Sequence, residues 1–523
     1  MNISEKIQML RRDRKWSQDE LAEKLEVSRQ SVSKWESGRA QPDSEKVLAM
    51  ARLFEVSTDF LLKDEQEPVY IDDTEDEAPI EEEKNKSISK KLSAKRIIAL
   101  IVAACIVIVA ISPLFFGGYG VILEKLSEPP VQYPYILVHG LGGWGPESEI
   151  DDVSSYWGST TGKLSEYLNS EGYNVRVASV GPFSSTWDRV CELYAELTGT
   201  TVDYGEAHSK AHGHERYGRV YNAENALVEN WGGETKKGQR IKVNLIGHSF
   251  GGETVRLLTS LLANGDEAEK NATGSETSAL FTGGKADWVN SVTTLCSPHN
   301  GSTLFYVVDQ GKLVNLALGM IYAVSGLANT TQLDKIYDFR LEQFNIDASS
   351  EDSTSDVISS VFSEGTDNAF YDLSPDGAKE LNKRIGLVDG VYYFSYSYLT
   401  TEASSLTGNQ IPKSTTLPVL LLPATLMGRY STNTKSEFAI DESWLPNDGL
   451  VNVVSARYPF GDSYCEFDSE NIAKGKWNVM PTLPGDHGTV IGLNAEVEET
   501  HSFYDTLFEM IDSQPREKKY YIF

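Results

Sequence analysis

Gly247-His248-Ser249-Phe250-Gly251 is a G-x-S-x-G pentapeptide, and a serine so placed is a candidate nucleophile. A hydroxyl attacks a carbonyl only when a base takes its proton, and that base needs an acid to hold its ring in one tautomer. Two histidines stand far downstream, His487 in "LPGDHGTVIG" and His501 in "VEETHSFYD". His487 lies in a glycine-rich loop that can present a ring, whereas His501 sits in a helical pattern and reads as a surface residue. The acids within range are Asp441, Asp448, Asp462 and Asp486. Asp448, in "WLPNDGLVNVVS", occupies a turn between two elements, as an orienting acid should; Asp486 adjoins His487 and is poorly placed to reach the correct ring nitrogen. Ser249, His487 and Asp448 together predict acyl transfer through a covalent intermediate. Two backbone N–H groups must then hold the oxyanion, those of Phe250, directly after the nucleophile, and Leu141, after His139-Gly140. His139 reads as a brace for that loop, and His248 and His299 as structural.

Such groups need rigid elements behind them. "IKVNLIGHSFGGETVRLL" reads as a strand, a tight turn and a helix, with glycines flanking Ser249 because side chains two residues away would collide. "YPYILVHGLGGWG" reads as a buried strand running into a His-Gly loop. A serine in this context, followed by acid and histidine in that order, predicts an α/β-hydrolase fold: a mostly parallel sheet with helices on both faces, over residues 124–523. Cys105, Cys191, Cys296 and Cys465 form no CxxC pair and read as free thiols.

Another stretch, "DYGEAHSKAHGHERYG" at 203–218, holds His208, His212 and His214 in a chain with eight histidines. The i, i+4 pair His208 and His212 would share a helix face. Gly205, Gly213 and Gly218 punctuate the segment, however, so a loop is expected.

The first 123 residues carry a different chemistry. In "WSQDELAEKLEVSRQSVSKWESGRAQPD", Ser17 opens a helix with Glu20 at the capping-box position, and Ser28 opens a second short helix. Two short helices joined by a tight turn make a helix-turn-helix, and residues 1–63 resemble the Cro/C1-type repressor domain. The resemblance puts Gln18 near a phosphate and Arg29, Gln30 and Lys34 on the groove-facing side of the second helix, types that pair with bases and backbone. DNA is the implied partner, although twelve Lys/Arg against eleven Asp/Glu leave residues 1–63 only weakly basic. The net charge of −29 excludes an extended nucleic-acid-binding surface on the whole chain. Residues 64–83 hold eleven acids and no base, then 84–96 turn basic, so 64–96 read as a disordered linker. Residues 97–123 run without a charge and are long enough for one transmembrane helix. Lys90, Lys91, Lys95 and Arg96 precede it, which places the N-terminus in the cytoplasm and the hydrolase outside.

From residue 133 onward, "ILVHGLGGWG", "WDRVCELYAELTGTTVDYGEAHSKAHGHERYGR", "GHSFGG", "SVTTLCSPHNGSTL", "TDNAFYDLSPDGAKELN" and "WLPNDGLVN" resemble the zinc-containing thermoalkalophilic lipases of the bacillary–staphylococcal group. The long second segment carries most of the specificity. The resemblance implies the triad Ser249, Asp448 and His487, and a structural Zn2+ held by Asp188, His208, His214 and Asp367. His212 is then a bystander. Four protein ligands close a tetrahedral site and leave no position for catalysis. The family's Ca2+ site maps to Thr489, Asn494 and Ala495, which lack the carboxylates a hard cation needs, so the resemblance does not carry calcium over. "FYVVDQGKLVNLALGMIYAVSGLAN" matches the family's helical lid. The expected activity is a triacylglycerol lipase or esterase acting on hydrophobic esters, polyesters included. Phospholipase or acyltransferase chemistry uses the same triad, and a lipid-sensing transcription regulator is the rival from another class.

Overall fold

A computed structural model describes residues 3–61 except 15, 26, 37–40, 43, 55 and 57–59. It also describes residues 132–515 except 236–237, 328–332, 334, 341, 345–358, 360–361, 363–364 and 433–439. The chain divides into two units, Met1–Ser112 and Pro113–Phe523. Among the described residues no helix is long and apolar enough to cross a membrane; the expected span at 97–123 and the linker before it lie outside them.

In the first unit, α1 (Ile3–Asp13), α2 (Gln18–Lys24), α3 (Arg29–Glu36) and α4 (Ser44–Phe54) enclose a core that includes Leu21, Leu25, Val32, Trp35, Met50 and Phe54. The capping box forms as its spacing requires. Glu20 N–H donates to Ser17 Oγ at 3.1 Å, and Ser17 N–H donates back to Glu20 Oε2 at 2.6 Å. Ser28 Oγ likewise accepts from Ser31 N–H at 3.1 Å at the start of α3.

In the second unit seven strands form one sheet: β1 (Tyr135–Val138), β2 (Val175–Ala178), β3 (Val243–His248), β4 (Val289–Leu295), β5 (Tyr392–Tyr396), β6 (Tyr464–Glu466) and β7 (Trp477–Val479). The order across the sheet is β6-β7-β5-β4-β3-β1-β2, and every neighbouring pair is parallel. In the central strands β1, β3 and β5, side chains on both faces are buried, whereas β6 at the sheet edge is largely exposed. Ile136, Val138 and Val292 pack toward α5 (Thr186–Thr198) and α7 (Phe250–Asn264). Tyr135, Leu137 and Ile246 face the cluster that includes α8 (Gln310–Ser325) and α9 (Val497–Asp512), where Tyr135 stacks on Phe508 with ring centroids 3.8 Å apart.

Between α5 and β3 lies the histidine-rich segment, and here the expected loop is corrected. Glu206–His212 is an α-helix, α6. Gly205 and Gly213 do not break it; they end it. Gly213 takes the left-handed conformation at φ 80°, the usual C-terminal stop, and Gly205 sits at the N-cap with φ 92°. A side chain at Gly205 would lie 2.4 Å from the Glu269 carboxyl carbon, because Glu269 accepts the helix's first N–H groups, from Ala207 at 3.0 Å and His208 at 2.8 Å.

Candidate active site and metal cluster

The parallel register places the site. Val138 pairs with Gly247, so the His139-Gly140-Leu141 loop leaves β1 directly beside the turn that follows β3. Ser249 occupies that turn at φ 53°, ψ −125°, a conformation that costs a non-glycine residue about 1–3 kcal/mol. The flanking glycines are required as the sequence predicts. A Cβ on Gly247 would lie 2.3 Å from the Gly251 carbonyl oxygen, and one on Gly251 would lie 2.2 Å from that of Val138. Gly140 is under the same constraint, since its Cβ would lie 2.7 Å from Ser249 Cβ.

His487 and Asp448 meet where expected. The ring donates its Nδ1–H to Asp448 Oδ2 at 2.8 Å, and both residues are buried. The other oxygen, Asp448 Oδ1, accepts the N–H groups of Leu450 at 2.9 Å and Val451 at 2.7 Å, which fixes the carboxylate. His487 shares with Ser249 the lining of one pocket, leaving Nε2 as the ring atom to take a proton. The rejected candidates have other partners. Asp486 accepts from Leu417 N–H, Gly488 N–H and the Asn494 amide, Asp462 from the Trp477 indole, and Asp441 caps Ser443. His501, in α9, stacks on Tyr167, and His299 bonds Thr294 in the interior. At the position mapped for calcium, the Asn494 amide donates to the Thr415 carbonyl at 2.9 Å and to Asp486 at 3.1 Å.

Leu141 lines the same pocket as Ser249 and Phe250 begins α7, so both residues expected to hold the oxyanion lie at the site. His139 braces this loop. Val180 N–H donates to its Nε2 at 3.3 Å, so Nδ1 carries the proton and donates to the Gly140 carbonyl at 2.9 Å. That bond turns the Gly140–Leu141 peptide, whose other end is the Leu141 N–H. The pocket is mostly apolar, with Leu313, Leu316, Ala317, Met320 and Ile321 of α8 forming one wall.

A second constellation lies apart from this pocket. Asp188 near the start of α5, His208 within the histidine helix, His214 just past its Gly213 stop, and Asp367 bring four ligand atoms within 4.8 Å of one another. His208 Nε2 is 3.1 Å from Asp188 Oδ1 and 3.3 Å from Asp367 Oδ2, and His214 Nε2 is 3.4 Å from Asp367 Oδ2. Tetrahedral zinc with arms of roughly 2.0–2.1 Å spaces its ligand atoms about 3.3 Å apart, so the donor set fits. His214 donates Nδ1–H to the Glu215 carbonyl at 2.9 Å, which turns the bare Nε2 into the cluster. Among the described residues, buried Asp188 Oδ2 and His214 Nε2 lack a hydrogen-bond partner. Burial and the facing Asp367 carboxylate push the Asp188 carboxyl upward, the strain a bound cation would relieve. The His212 ring lies tilted against that of His208, with centroids 4.5 Å apart, and contributes no ligand atom to this group.

Residues 131–513 match the family model described as lipase-like, C-terminal domain. The chain belongs to that family. Lipase 1 of Staphylococcus aureus strain Mu50 is 33% identical over 378 residues, covering 71% of this chain and 52% of that protein. The chain thus spans about half the length of the curated relatives it matches. Among solved structures, Lipase 1 from Pelosinus fermentans is 38% identical with a TM-score of 0.64, covering 74% of this chain and all of that one. EstA from Clostridium botulinum is 36% identical with a TM-score of 0.65, covering 74% of this chain and 90% of that one. Residues 7–61 match a helix-turn-helix family model.

Within this lipase-like domain, a buried arginine beside the site escaped the sequence reading. Arg189 is fully buried next to Asp188 on α5, and donates to the carbonyls of His139 and Gly181 and to Thr254 Oγ1. It therefore ties the His139-Gly140-Leu141 loop to the helix that carries Asp188. An arginine inside an apolar helix pattern was the only signal for it. In the helix-turn-helix, Gln18 donates to Glu36 Oε2 at 2.9 Å, while Arg29 and Lys34 are exposed on α3 and Gln30 lies in the same helix.

Proposed function

We propose that this chain is a membrane-anchored serine hydrolase of hydrophobic carboxylic esters, acylglycerols foremost, whose cytoplasmic end carries a DNA-binding domain. One observation carries the enzymatic part: a conformationally strained serine opens onto an apolar pocket that it shares with a histidine held by a buried aspartate. Ser249 Oγ attacks the ester carbonyl while His487 Nε2 takes its proton, and Asp448 stabilises the imidazolium. The N–H groups of Leu141 and Phe250 receive the oxyanion. Collapse expels the alcohol, which takes the proton from His487, and leaves an acyl-enzyme. Water then attacks with His487 again as base, releasing the acid and restoring Ser249. The apolar wall of α8 supports the lid reading and a substrate with a substantial acyl chain.

Asp188, His208, His214 and Asp367 would hold zinc, which when bound supplies a structural cross-link and no catalytic position. These residues anchor the histidine helix to α5 and to the segment before Ala369, away from the reacting ester.

The test is a series of p-nitrophenyl esters offered to the full chain. Turnover of medium or long acyl esters is the expected result; no turnover of any ester above buffer sinks the hydrolase reading and leaves a lipid sensor. For the N-terminal domain, binding of the full chain to an operator chosen by selection should fall at least about tenfold on Arg29→Ala with Gln30→Ala. Affinity unchanged by that pair removes α3 as the reading helix. The uncharged run at 97–123 supports the anchor, and loss of membrane retention on deleting it is the corresponding check.

A further inference from the structure

Beside the triad, one file of hydrogen bonds has no part in the chemistry above. Gly140 N–H donates to Tyr156 Oη at 3.1 Å. Tyr156 Oη lies 2.6 Å from His248 Nδ1, and His248 Nε2 lies 3.0 Å from the His487 carbonyl oxygen. Both side chains are buried. The two ends of the file fix every proton within it. An amide N–H can only donate, so Tyr156 Oη accepts there and keeps its single proton available for His248. A carbonyl can only accept, so His248 Nε2 carries the ring proton and Nδ1 receives the tyrosine's. Only a neutral His248 satisfies this order, and burial depresses its basicity well below that of a free imidazole.

The file joins three parts of the site. It runs from the oxyanion loop, through the residue preceding the nucleophile, to the backbone of the catalytic histidine. His487 N–H donates to the Asp448 carbonyl at 2.9 Å, so with this file both backbone polar groups of His487 are held. Because Gly140 rests on Ser249, the same contacts set the oxyanion loop against the nucleophile. We propose that His248 and Tyr156 are positioning residues that fix the spacing between the general base and the oxyanion donors, an inference that rests on Ser249 acting as nucleophile.

Tyr156→Phe removes only the hydroxyl. In the full chain, with active sites counted from the p-nitrophenol burst, kcat per site should fall about tenfold or more while KM stays within about twofold. His248→Gln keeps a donor for the His487 carbonyl and should restore much of the kcat that His248→Leu loses. A Tyr156→Phe kcat within about twofold of the parent, or a loss confined to KM or to the number of sites, overturns the proposal. Nitrogen-15 histidine spectra at pH 7, with His248 assigned by His248→Gln, read the file without turnover. The parent should show a neutral Nε2–H tautomer whose Nδ1 signal moves in Tyr156→Phe. An Nδ1–H tautomer overturns the file even in an active enzyme. The expected tautomer in a chain inactive toward esters overturns the hydrolase reading and leaves the file standing.

Discussion

Asp448→Asn lowers kcat on a soluble p-nitrophenyl ester by about 10⁴-fold with little change in KM. The reason is proton placement. Asp448 Oδ1 already serves the N–H groups of Leu450 and Val451, so an asparagine oxygen stays there and its NH2 turns toward His487 Nδ1. Two donors cannot face each other. His487 adopts the other tautomer, with the proton on Nε2, and cannot accept one from Ser249. Asparagine fills the same volume, so the melting temperature should change far less than the activity does. Loss of less than about tenfold in kcat would show that Asp448 does not orient the base.

If the proposed zinc is bound, His214→Ala should remove one of its four ligands, release it and lower the melting temperature by about 5–10 °C. Asp188 and Asp367 then face one another in a buried site with only His208 between them, and no three remaining groups close a tetrahedron. A chelator should lower the parent's melting temperature similarly and leave that of His214→Ala unmoved. Turnover at low temperature should fall far less than in Asp448→Asn, because the cluster acts on the oxyanion loop indirectly, through groups such as Arg189, the residue after Asp188 on α5. A purified parent that holds no zinc after loading, or whose melting is indifferent to chelator, contradicts the metal reading.

The contrast between these two sites shows what the sequence could reveal. The nucleophile turn was legible because steric exclusion fixes residue types at fixed offsets: Gly247 and Gly251 are glycine because backbone oxygens stand within 2.3 Å of where their Cβ atoms would be. His487 and Asp448 were legible by elimination, with few downstream histidines and one aspartate in a suitable turn. Glycine misled the reading at residues 205–213. It marks both loops and helix ends, and only the contact with Glu269, far along the chain, decides between them. The ligand set Asp188, His208, His214 and Asp367 came from family resemblance, since no local spacing links positions so widely separated. Arg189 and Tyr156 stayed hidden for the same reason. Tyr156 meets a partner 92 positions away, and His248 one 239 positions away.

The most direct test of the account is to treat the full chain with a fluorophosphonate and locate the adduct by mass spectrometry. The expected result is one phosphonyl group per chain, on Ser249, with ester turnover lost in proportion to labelling, and neither labelling nor turnover in Ser249→Ala. Turnover that survives complete labelling, or that matches the parent's in Ser249→Ala, would contradict it.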